Sequence, residues 1–133
     1  MDISSVCIQQ MADRNKKQRS SMKWEVMDVR ELKYEDEMFD LVIDKSTIDA
    51  LLCGNFAYLN VAIMLKECQR VLKTGGYYMA ISYGVPENRE FHLIREHLKL
   101  EIKTYKIEKK HGDTGQLSIH YIYVCKKLEG ADK

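Results

Sequence analysis

The sequence predicts an α/β fold, a mostly parallel sheet with helices on it that ends in an antiparallel hairpin. Three observations predict it. First, Phe39 to Ile43 is a short run, apolar but for Asp40 and bounded by polar residues, the mark of a strand covered on both faces. Second, Ala57, Val61, Met64, Leu65, Cys68 and Leu72 recur at helical spacing and lead into another apolar run, Tyr77 to Ser82. Third, Leu98 to Lys109 and Leu117 to Lys127 read as two strands with no helix between them, joined through residues 111–115. Alternating strands and helices build a parallel sheet, and a closing hairpin adds an antiparallel edge.

Taken in order, Cys7, Ile8, Met11 and Ala12 share one face of a first helix, which Ser4 or Ser5 is placed to cap. Lys23 to Met27 follows as a short strand ending in Asp28, and Val29 to Met38 is a charged loop. After the strand Phe39 to Ile43, Ser46 or Thr47 is suited to cap a turn carrying Ile48, Ala50, Leu51 and Leu52. A long helix spans Phe56 to Lys73, and Gly75-Gly76 is the expected left-handed stop. Pro86 suits the first turn of a helix with Phe91, Ile94 and Leu98 on one side. In the hairpin, the lysine- and glutamate-rich first run suits a sheet edge, and the apolar run around Ile122 belongs inside. Val26, Val42, Ile43, Met79, Ile81, Ile122 and Val124 are the expected buried sheet residues, with Leu65, Cys68 and Leu72 packed on one face. Glu129 to Lys133 is a solvated tail, so residues 1–127 form one domain and 128–133 a tail.

At 133 residues the chain is long enough for one core and too short for two ordinary domains. It is 31% charged and 45% apolar with a net charge of +1, so no basic surface points to nucleic acid. No apolar run nears the roughly 20 residues that span a bilayer. Cys7, Cys53, Cys68 and Cys125 show no metal-ligand spacing, and they read as reduced thiols of an intracellular protein, expected to be cytoplasmic and without a metal site.

Asp44 and Lys45 stand at the carboxyl end of the central strand, where open α/β sheets place their ligand crevice. Such a pair either solvates the strand end or faces a ligand. The two readings stay open on residue type alone.

Four features occur in a telling order: Asp2 before a helix in MDISSVCIQQM, Asp28 in EVMDVRE, the block FDLVIDKSTIDALL, and the turn RVLKTGGYYMAIS. Together they resemble the class I, seven-strand S-adenosylmethionine-dependent methyltransferases, from Met1 to Lys127. DKSTIDAL is similar to the block of a eukaryotic group that includes protein-lysine methyltransferases acting on elongation factor 1-alpha. The resemblance implies a Rossmann-like sheet whose sixth and seventh strands are the terminal hairpin. It implies S-adenosylmethionine as cofactor and a protein as substrate. On it, Asp2 accepts from both ribose hydroxyls, a task suited to the two oxygens of a carboxylate. Asp28 accepts from the adenine amino group with Val29 beside the ring, and Asp44 and Lys45 face the methionine end and the transfer site. Asp44 is the candidate catalytic residue, orienting the substrate amine or balancing the sulfonium charge. A fixed positive charge is unfavourable beside a sulfonium, so Lys45 is expected to turn outward or pair with Asp49.

One departure is large. The family opens with a strand and a glycine-rich turn whose amides approach the cofactor, and this sequence shows neither, so the sheet lacks its first strand. Phe39 to Asp44 is then left with an unpaired side. Lys23 to Met27, a second copy in a dimer, or further N-terminal residues would each fill it. The departure supports an alternative function, a non-catalytic or partner-completed binding module. A nicotinamide-dependent dehydrogenase shares the layout, but the chain has no GxGxxG.

Overall fold

Ser4 starts the first helix because its extended backbone lets its hydroxyl accept from the Cys7 N–H at 3.2 Å. The computed structural model describes residues 1–112 and 114–130, in two compact units, Met1–Lys33 and Tyr34–Lys133. Asp113 of the hairpin turn and residues 131–133 of the expected tail lie outside the described residues.

In the first unit, α1 (Ser5–Asn15) buries Ile8 and closes on Asn15, whose amide donates to the Met11 carbonyl at 2.7 Å and accepts from Arg19 at 2.6 Å. The strand expected over Lys23 to Met27 is reduced to one parallel bridge between Asp2 and Val26. Asp2 N–H donates to the Glu25 carbonyl at 3.1 Å, and Met27 N–H donates to the Asp2 carbonyl at 2.9 Å. A single bridge gives no ladder to bury side chains against, and Val26, expected in the sheet, is exposed.

The second unit runs β1 (Phe39–Lys45), α2 (Thr47–Leu52), α3 (Ala57–Val71), β2 (Leu72–Ser82), α4 (Glu90–Leu93), β3 (Leu100–Lys110) and β4 (Leu117–Lys127). Its sheet is mixed, in the order β1-β2-β4-β3, with β1 parallel to β2 and both other pairs antiparallel. As the charge pattern anticipated, β3 is an edge and β4 lies inside. The ladder of β1 with β2 is the only one that β1 makes among the described residues.

The core lies on one face of this sheet. Val61, Met64, Leu65 and Cys68 of α3 and Ile48 of α2 are buried together with Tyr78, Ala80, Tyr123 and Cys125 of the strands. The other face is open, which corrects the expectation of burial on both. Ile43 is 59% exposed, Leu41 46% and Tyr77 40%. Met79, Ile81, Ile122 and Val124, aligned with them across the ladders, are only half-buried. An apolar run signals a strand without revealing how many of its faces are covered.

The helix stop is also corrected. Helix α3 ends at Val71, and β2 begins immediately at Leu72, ahead of Gly75 and Gly76. Between Phe39↔Leu72 and Leu41↔Tyr77 the register jumps, so β2 carries extra residues past β1. Gly75 has φ +83°, and a Cβ on Gly76 would lie 2.9 Å from the Asp40 carbonyl oxygen, so both glycines serve this bulge. The end of α3 is closed from the far end of the chain. Buried Lys127 donates from Nζ to the Gln69 and Leu72 carbonyls at 2.9 and 2.7 Å, placing a cation at the negative pole of the helix.

The single helix expected after Pro86 is broken into a 3-10 turn, the short α4 and a second 3-10 turn. Arg89 (φ −125°) and Arg95 (φ −120°) leave helical geometry. Leu93 and Leu98 are buried, whereas Ile94 points to solvent.

Candidate functional site

In the first unit, the bridge sets Asp2 opposite Val26, so Asp28 follows two residues beyond the bridge. One Asp2 oxygen accepts from the Ser4 N–H at 2.8 Å, which turns the chain into α1, and the side chain is exposed. Asp28 is more engaged. Its Oδ1 accepts from the Arg30 N–H at 2.9 Å, and the guanidinium grips both oxygens, with Nη2 to Oδ2 at 2.7 Å. These bonds from Arg30 hold the Asp28 carboxyl below the usual range. Val29 beside it is half-buried.

In the second unit, β1 delivers Asp44 and Lys45 to the carboxyl end of the sheet. Ser46 takes a left-handed conformation (φ 64°), and its N–H donates to the Ile81 carbonyl at 3.0 Å, which ties this turn to the end of β2. Neither Ser46 nor Thr47 caps α2 with its side chain. Asp44 does so instead, accepting from the Thr47 N–H at 2.7 Å and the Ile48 N–H at 3.1 Å. Its Oδ2 also accepts from the Tyr78 hydroxyl at 2.8 Å, and the residue is 6% exposed. The carboxylate expected to face the methyl-transfer site therefore points into the protein, its oxygens taken by three donors. Burial and the nearby Asp44 charge push the Tyr78 hydroxyl well up. Burial first, then Asp44 and Glu67, raise the Cys68 thiol to about 12, so that thiol is inert.

Lys45 is exposed, as its outward option required. Its alternative partner, Asp49, belongs to a cluster that sequence reasoning missed. Asp49 Oδ1 accepts from Arg89 Nη2 at 2.9 Å and Nε at 3.1 Å and from the Ser82 hydroxyl, and its Oδ2 accepts from the Tyr83 N–H at 3.2 Å. Ser82 Oγ accepts in turn from the Gly84 N–H at 3.0 Å. Both charged side chains are largely buried, at 14% and 18% exposed for Arg89 and Asp49. The sequence signal was slight, a serine closing an apolar run and an arginine beyond a glycine.

Among the described residues no group of His, Cys, Asp and Glu is placed to hold a metal ion. Among the described residues no helix is long and apolar enough to cross a membrane.

A mixed sheet with α3 against it, acidic residues at or just beyond parallel pairings and a terminal antiparallel hairpin define a Rossmann-like α/β domain of the methyltransferase type. The chain belongs to the methyltransferase domain family, whose model matches residues 1–80. It is 42% identical over 84 residues to the mouse eEF1A lysine and N-terminal methyltransferase, matching 62% of this chain and 12% of that protein. It is 32% identical over 105 residues to bovine EEF1A lysine methyltransferase 4, covering 73% of this chain and 41% of that one. The chain thus spans less than half the length of either relative. Among solved structures, an S-adenosylmethionine-dependent methyltransferase from Methanosarcina mazei aligns with a TM-score of 0.69 at 18% identity, over 96% of this chain and 80% of that one. The N-methyltransferase NodS from Bradyrhizobium japonicum, solved with S-adenosyl-l-homocysteine, aligns with a TM-score of 0.65 at 13% identity, over 94% and 64%. At these identities the structures share the fold.

Proposed function

We propose that this domain transfers a methyl group from S-adenosylmethionine to a protein lysine, with elongation factor 1-alpha as the candidate acceptor. The observation that carries the reading is the pair of acidic residues in the first unit, at and just beyond the parallel bridge, in a chain of the methyltransferase domain family. A cofactor with a ribose diol and an adenine amine needs anionic acceptors. Asp2 supplies an exposed carboxylate with one oxygen taken by Ser4, and Asp28 one held ionised by Arg30. These two residues, with Val29 against the base, would hold the nucleoside. When bound, the cofactor supplies an electrophilic methyl on a sulfonium, and the protein's task is positioning rather than proton transfer. Asp44 is a positioning residue on this reading, since it fixes the turn between β1 and α2, and Lys45 beside it is exposed. Four free cysteines, two of them buried, suit a reducing cytoplasmic compartment.

Calorimetric titration with S-adenosylmethionine tests the cofactor half. Asp28→Ala removes an acceptor and should weaken binding by about 1–3 kcal/mol. Equal affinity for the two proteins removes Asp28 from the site. Methyl incorporation into purified elongation factor 1-alpha tests the acceptor, and its absence beside normal cofactor binding overturns that assignment alone.

A second reading, a partner-completed module, is favoured by one observation. β1 presents an edge with no further ladder among the described residues, beside the exposed Leu41 and Ile43. Open edges invite a further strand, from additional residues of the protein or from a second copy. On this reading the isolated 133-residue chain binds the cofactor poorly and elutes as a dimer or gains affinity when a preceding segment is supplied. A monomer with micromolar affinity and turnover sinks it.

A further inference from the structure

The Asp49–Arg89 pair does more than join α2 to the segment after β2. It fixes a three-residue turn at the carboxyl end of the sheet. The Tyr83 N–H is held by Asp49 and the Gly84 N–H by Ser82, and the Gly84 carbonyl accepts from the Tyr123 hydroxyl at 2.5 Å. Arg89 lies directly over Gly84, where an added Cβ would come within 2.1 Å of its guanidinium carbon. Backbone polar groups on both sides of this turn are therefore bonded to side chains from α2, β2 and β4. What the arrangement leaves free is the ring of Tyr83, 63% exposed, against the His120 ring with centroids 4.1 Å apart. The largely buried ion pair thus fixes the backbone that carries this exposed ring. It stands one residue past Ser82, at the same end of the sheet as Lys45 and Ser46.

We propose that Tyr83, with His120 behind it, is the surface that receives the acceptor lysine of the protein substrate, and that Asp49 and Arg89 are positioning residues that present it. The inference rests on the methyltransferase reading of this end of the sheet. The chemistry is complementary: the face of a tyrosine ring attracts an ammonium group and packs against the methylene stem below it. The ring is the working part, so the hydroxyl is dispensable.

Binding of immobilised elongation factor 1-alpha to the intact chain tests this, alongside calorimetry with S-adenosylmethionine. Tyr83→Ala should weaken protein binding roughly two- to thirtyfold, the range for an exposed to desolvated cation–π contact, and Tyr83→Phe should keep it. Cofactor affinity should be the same in all three. Asp49→Asn should weaken protein binding as well, yet add little in the Tyr83→Ala background, because Asp49 acts through that ring. A merely structural role for Asp49 predicts additive losses and reduced cofactor affinity, and that result overturns the positioning claim. Unchanged protein binding in Tyr83→Ala, or no binding by the wild type, overturns the inference while leaving the cofactor reading to its own titration. Absence of cofactor binding in the wild type sinks the methyltransferase reading, and this inference with it.

Discussion

Replacing Asp44 with alanine tests whether its carboxylate is a keystone of the fold. The residue meets three donors, the Thr47 and Ile48 amides and the Tyr78 hydroxyl. Losing the cap at the start of α2 costs about 0.5–2 kcal/mol. Stranding the fully buried Tyr78 hydroxyl costs roughly 1–3 kcal/mol more. The sum, about 2–5 kcal/mol, is a large part of the roughly 5–15 kcal/mol that keeps an ordinary domain folded. Tyr78→Phe leaves the two amide bonds intact and should cost only about 1 kcal/mol. The two changes must also couple. Once the hydroxyl is gone, Asp44→Ala has nothing to strand, so the double variant should be more stable than additivity predicts. Urea denaturation followed by far-ultraviolet circular dichroism on the four proteins measures this. An Asp44→Ala variant within experimental error of wild type, or strictly additive losses, would refute the role of the carboxylate as an internal acceptor.

Two further outcomes are expected. His92 is buried against the Tyr58 and Phe91 rings, and burial followed by the charges of Arg89 and Arg95 lowers its pKa from 6.5. The unfolded chain then binds the extra proton first, so its contribution is intact above pH 6.5 and is lost as pH falls through the folded value. His92→Phe should flatten the fall in melting temperature below pH 6.5, and an unaltered slope counts against it. Lys127→Met leaves the Gln69 and Leu72 carbonyls without this buried donor, and should lower stability by about 2–4 kcal/mol in thermal unfolding. A change under about 1 kcal/mol would show that other groups close the helix.

The elements that were legible in the sequence are those with long, uninterrupted patterns. The α3 stripe from Ala57 to Cys68 and the β3–β4 hairpin could be read from periodicity, because many residues vote for one period. The strand over Lys23 to Met27 could not, since a bridge depends on what Asp2 does twenty-four residues away. Nor could the coverage of β1: Leu41 to Ile43 is apolar whether or not a layer lies over Ile43. At the site, residue type located Asp44 but not its direction. A carboxylate next to a strand end can turn outward to a ligand or inward to amides, and the left-handed Ser46 that exposes the α2 amides to it has no sequence mark. The Asp49–Ser82–Arg89 cluster was hidden for a similar reason. Its members are 33 and 40 residues apart along the chain, and each alone is an ordinary surface residue.

The contact of Lys127 with the end of α3 has a consequence for the order of folding. It closes loops of 58 and 55 residues, tying β4 to α3. Among the described residues β4 is also the only partner of β2 besides β1. During synthesis, α3 and β2 therefore emerge with their carbonyl end and one ladder unsatisfied until the eleven residues of β4 clear the ribosome. Non-local closure of this kind is slow, because chain entropy is lost before the contacts form. Residues 57–82 wait on β4, and a nascent chain stopped short of that strand carries an incomplete sheet instead of a smaller finished domain.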